Sequence, residues 1–116
     1  MKFRRAWLPH MNFRFSADQV LNIANEIVYV CETPLFDDLF DEKFVSKFEE
    51  RVQAMMEDFR PELDVLVVYG DAMIFAMMLW HVATLWPDNN INVARYSAKK
   101  NEYVVRAIGE HFTQDA

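Results

Sequence analysis

The stretch from Leu63 to Trp86 constrains this chain most, because only Asp64, Asp71, His81 and Thr84 are clearly polar within it. Such a run either crosses a membrane or belongs to a core. Gly70-Asp71 interrupts it midway, and an aspartate near the bilayer centre costs about 2.5–3.5 kcal/mol. The half before the break, Val65-Leu66-Val67-Val68-Tyr69, is β-branched and reads as a buried strand. The half after it, Ala72 to Trp86, would span roughly 22 Å as a helix, short of a ~30 Å hydrocarbon core. The run therefore reads as strand, turn and helix. That helix is apolar nearly all round and is expected to be the most buried one in the domain.

The flanking sequence fills in the rest of a small domain. Ser16-Ala17-Asp18-Gln19 has the spacing of a capping box, which predicts a short helix to about Ala24. Ile27 to Cys31 is a second β-branched run and a second buried strand. Between Asp41 and Phe59, the residues Phe44, Phe48, Val52, Met55, Met56 and Phe59 recur at three- and four-residue steps, with charges opposite, and Pro61 follows. That pattern predicts an amphipathic helix with a stop. Ile91 to Ser97 and Glu102 to Ile108 read as a hairpin about Ala98-Lys99-Lys100-Asn101. The basic, aromatic leader offers one more strand at Phe3 to Leu8 or Met11 to Phe15.

The order implies one α/β domain over residues 1–116. It is expected to be a small sandwich with parallel central strands, two to three helices and a C-terminal antiparallel hairpin. Pro9, His10, Asn12 and Arg14 interrupt any apolar segment behind Lys2, Arg4 and Arg5, which argues against a signal peptide. The chain is expected to be soluble and cytoplasmic.

Composition removes several function classes. Two glycines leave no Gly-rich phosphate loop, and one cysteine, Cys31, leaves no disulfide framework or paired-cysteine zinc site. The net charge of −6 argues against a nucleic-acid coat. The acidity is local: residues 1–15 carry +4 and residues 16–64 carry −9.

Phe59-Arg60-Pro61-Glu62-Leu63-Asp64-Val65-Leu66-Val67-Val68-Tyr69-Gly70-Asp71 resembles a block of small phage-encoded proteins with a D-x-x-P-x-D-y-l-l-l-x-G pattern. Glu102 to Ile108 and Ile27 to Glu32 look like two further strands of those proteins, so the likeness covers roughly residues 10 to 108. It implies an α/β fold and a phage origin, placing the chain in a host cytoplasm, and implies no activity.

Three function classes have candidate residues. The first is a non-catalytic interaction module, such as a modulator of a host protein or a homo-oligomer. Ten Phe, seven Met, three Trp and four Tyr are many for so short a chain, and apolar residues left on a surface mark interfaces. Trp7, Phe36 and Phe40 are the expected anchors, framed by Asp37, Asp38, Asp41 and Glu42 to steer a basic partner. The bland alternative folds leader and loop back over the sheet.

The second class is a metal-dependent phosphoryl-transfer or hydrolytic enzyme. Glu32 and Asp71 each follow a strand, and parallel pairing would bring both to the carboxyl edge, with Asp37 and Asp38 near enough to complete a Mg²⁺ site. The competing reading makes Asp71 a helix cap and needs no cofactor. An anion at the Gly70-Asp71 helix start is a weaker variant. The third class is single-stranded nucleic-acid binding by Arg95, Lys99, Lys100 and Arg106, interleaved with Tyr96 and Tyr103. Otherwise this is a charged hairpin that resists edge pairing. His10, His81 and His111 are too scattered for a metal pattern; His81 is expected to be buried and hydrogen-bonded, and Cys31 to be a small core residue.

Overall fold

The structure, a computed structural model, describes residues 2–11, 18–31 and 41–109. Five strands form one sheet in the order β2-β1-β3-β4-β5. They are β1 (Phe3–His10), β2 (Ala24–Cys31), β3 (Asp64–Val68), β4 (Ile91–Ser97) and β5 (Glu102–Ile108). Pairing is parallel from β2 through β4 and antiparallel between β4 and β5. Two α-helices, α1 (Glu42–Met56) and α2 (Ala72–Leu85), and a 3-10 helix (Asp18–Asn22) complete the described elements. The fold is a small α/β domain, and the bounds of the hairpin strands agree with the sequence reading.

Chain handedness explains which face each helix takes. The steps β2 to β3 and β3 to β4 run one way across the sheet, and β1 to β2 runs the other. Right-handed crossovers then put α1 and α2 on one face and the 3-10 helix on the opposite face. The cores agree. Trp7, Val30 and Leu66 pack beneath Phe48, Val52 and Met56 of α1 and Ile74, Met78 and Val82 of α2. Ala6, Leu8, Val65, Val67 and Ala94 form the second face with Val20 and Ala24.

The leader is a central strand, not an appendage. Its parallel ladder with β2 runs from Phe3↔Ala24 to His10↔Cys31. Its ladder with β3 covers Arg5 to Trp7 and stops two residues short of Pro9. A residue without an N–H is tolerated where one side of the pairing has ended.

The placement of Trp7 corrects the expectation that it anchors a partner. It is 2% exposed, lies on the helix-covered face and meets Phe59 edge-on at 6.2 Å. α2 buries Ile74, Met78, His81 and Val82 where α1 buries Phe48, Val52 and Met56, so it is the more buried α-helix, as expected, but it is not enclosed. Ala72, Met73, Ala76, Trp80, Ala83, Thr84 and Leu85 are exposed, because α2 lies on the sheet with only one face.

Candidate functional site

In open parallel sheets, ligands bind at the carboxyl edge where strand order reverses. Here that point lies between β1 and β3, and His10 occupies it. The imidazole is fully buried at the end of β1. Its Nε2 accepts the Asp71 amide hydrogen at 2.9 Å. Nδ1 therefore carries the ring proton and donates to the Met11 carbonyl at 3.0 Å. Gly70 makes this approach possible. Its φ is +73°, and a Cβ there would lie 2.1 Å from His10 Nε2, so glycine is needed for both conformation and space.

Asp71 completes the lock as the N-cap of α2. Its Oδ1 accepts the amides of Met73 at 2.9 Å and Ile74 at 3.0 Å. The amides of Asp71, Met73 and Ile74 are thus taken up by the protein's own side chains, leaving few donors for an anion at this helix start. The observed work of Asp71 is capping.

Glu32 lies outside the described residues. Its neighbour Cys31 ends β2, and β1 separates β2 from β3, with His10 level with Cys31. The ends of β2 and β3 both lie at the carboxyl edge, but β1 between them sets those strand ends two strand spacings, roughly 9–10 Å, apart. No group of three or more potential metal-ligating side chains occurs among the described residues. Phe36, Asp37, Asp38 and Phe40, expected to form the docking loop, also lie outside the described residues. Asp41 is the N-cap of α1, accepting from Lys43 and Phe44.

A second polar hub, at the opposite edge, is structural. Asp64 is fully buried. Arg4 grips it through Nε at 3.0 Å and Nη2 at 2.7 Å, while the Trp7 indole N–H (3.2 Å) and the Arg60 amide (2.9 Å) also donate to it. Its hydrogen bond to Arg4 raises the guanidinium's pKa, with their charge attraction adding to it. Four donors make this buried carboxylate affordable. Sequence reasoning anticipated the Asp71 cap but missed His10 in the first hub and the whole of the second; the one visible signal was an aspartate set directly against β-branched residues.

His81 is buried as expected, but its Nε2 has no hydrogen-bond partner among the described residues, the nearest carboxylate oxygen being Glu49 Oε1 at 3.6 Å. Cys31 is buried. No helix among the described residues is long and apolar enough to cross a membrane.

The pleat of the hairpin separates its basic and aromatic groups. Arg95 pairs with Val104 and Arg106 with Val93 on the helix-bearing face. Tyr96 pairs with Tyr103 on the other face, their rings edge-to-face at 5.5 Å. Lys99 and Lys100 sit in the turn.

One surface stands out because nothing in the described fold uses it. On α2, Trp80 is 67% and Met73 50% exposed, and the helix carries no charged residue from Ala72 to Leu85. Exposed Ala76 and Ala83 alternate with these two large side chains. No protein-family model, no curated protein and no solved structure matches the chain.

Proposed function

We propose that this protein acts by assembly rather than catalysis, as an interaction module whose docking surface is the outer face of α2, and that its partner there is a second copy of the chain. The observation that carries this is the large–small order Met73, Ala76, Trp80, Ala83 along one exposed, uncharged helix face. When two such helices cross antiparallel about a twofold axis, Met73 of one faces Ala83 of the other, and Ala76 faces Trp80. Each knob meets a hollow, and the contact is self-complementary as twofold symmetry requires.

Charge opposes self-association least at α2. Each copy carries −6, so two copies repel at long range, but a contact through the uncharged α2 face adds no like-charge pairs at the interface itself. One helix face is smaller than the ~800 Å² per partner of a standard interface, so the dimer should be weak and concentration-dependent.

Sedimentation equilibrium of the whole chain from about 1 μM to about 1 mM tests this. The expected result is a reversible dimer that Trp80→Lys returns to monomer with an unchanged circular dichroism spectrum. A wild-type chain monomeric throughout would overturn the reading. So would a dimer indifferent to Trp80→Lys.

A further inference from the structure

The helix-bearing face of the sheet is covered unevenly. Beyond α2, over β4 and β5, a depression of about 570 Å³ remains open. Its floor includes Val68, Val104 and Ile108, and its basic lining is Arg95, Lys99 and Arg106. Val68 is 43% and Ile108 48% exposed, high values for aliphatic residues in strands or at their ends. Arg95 and Arg106 make no ion pair with any described carboxylate. Glu102 shares their face but sits at the turn end, opposite Ser97.

The depression also opens onto a sheet edge. β5 is terminal in the strand order, so no described strand pairs with its outer side. A smaller apolar hollow at that edge is lined by Arg106, Ala107, Ile108 and Gly109. Along β5 the two faces differ in chemistry. Arg106 faces the groove, while Tyr103 and Val105 pack against the apolar cluster on the far face.

We infer that the β5 edge and its groove bind an extended acidic peptide as a sixth strand, with carboxylates at alternate positions facing Arg106 and Arg95 and apolar side chains between them lying beside Tyr103 and Val105. Backbone pairing along the edge holds the peptide, and the period-2 alternation selects it. The arginines set the sign of its charge and favour carboxylates through forked, charge-assisted hydrogen bonds. A single nucleic-acid strand fits less well. Base stacking needs free aromatic faces beside the cations; Tyr96 borders the depression, but its ring packs edge-to-face on Tyr103 and its hydroxyl is bonded to Asn101, and Tyr103 lies on the far face. This surface is separate from the outer face of α2.

The test uses the whole chain and a fluorescein-labelled, end-blocked peptide, Val-Asp-Val-Asp-Val-Asp-Val, read by fluorescence anisotropy. Binding is expected, weakened about tenfold or more by Arg106→Ala and abolished in the Arg95→Glu/Arg106→Glu pair. Lys47→Glu on α1 should change it little. Slowed amide exchange in β5 on adding the peptide distinguishes strand addition from charge attraction alone. The proposal is overturned if a Val-Lys peptide binds as well, if the folded double variant binds undiminished, if β5 exchange does not change, or if an oligothymidylate binds more tightly at the same arginines.

Discussion

The helices α1 and α2 lie side by side on one sheet face and bury comparable inner faces, yet they meet water in opposite ways. α1 turns Phe48, Val52 and Met56 inward and exposes Lys43, Lys47, Glu50 and Arg51. α2 turns Ile74, Met78 and Val82 inward and exposes Met73, Ala76, Trp80 and Ala83. The inner faces follow from the sheet, which must be covered. The outer faces are not needed to close the core, so an apolar one requires a separate explanation. Amphipathicity completes the account of α1, whereas α2 carries more apolar surface than the described fold uses.

The largest expected effect comes from the different ways the two helices begin. Both have an aspartate N-cap, but only α2 is entered through a left-handed glycine against a buried imidazole. Gly70→Ala combines an unfavourable φ with a direct collision with His10, and should cost about 3 kcal/mol or more in chemical denaturation. A loss below about 1 kcal/mol would mean that His10 moves aside easily and the lock is loose.

The inner faces should behave alike. Phe48→Ala on α1 and Met78→Ala on α2 both empty a buried site and should each cost about 2–5 kcal/mol. A clearly smaller loss for Met78→Ala would show that α2 is the less firmly seated helix. The caps come next. Asp41→Ala and Asp71→Ala each leave two amides without their acceptor and should cost about 1 kcal/mol apiece.

The same contrast explains what sequence reading reached. α1 was legible because its charges mark the outward side. In α2, where both sides are apolar, hydropathy identified the more buried helix but could not mark which side the fold leaves outward. The strand Phe3–His10 was obscured by Arg4, Arg5 and Pro9. Asp64 answers Arg4 across a separation of 60 residues, and Glu26 answers Arg5 from the adjacent strand. Such long-range partners leave no local pattern. The hairpin, whose signals are all local, was read residue for residue. Its cations and aromatics are plain in the sequence, but their division between two faces appears only once the register pairs Arg95 with Val104 and Tyr96 with Tyr103.

The smallest effects on stability should come from the outer faces, and there the two helices separate most clearly. Trp80→Lys and Glu50→Lys both change exposed residues, so at low micromolar concentration each should shift unfolding by less than about 0.5 kcal/mol. Raising the concentration breaks the equivalence. If the outer face of α2 holds a second copy, association stabilises the native state by mass action, and the melting temperature of the wild type and of Glu50→Lys should climb with concentration. Trp80→Lys, with a charge set into the contact, should melt at one temperature throughout. A parallel climb in all three proteins would place any self-association elsewhere on the molecule. A flat response in all three would leave α2 with an apolar face that no second copy covers.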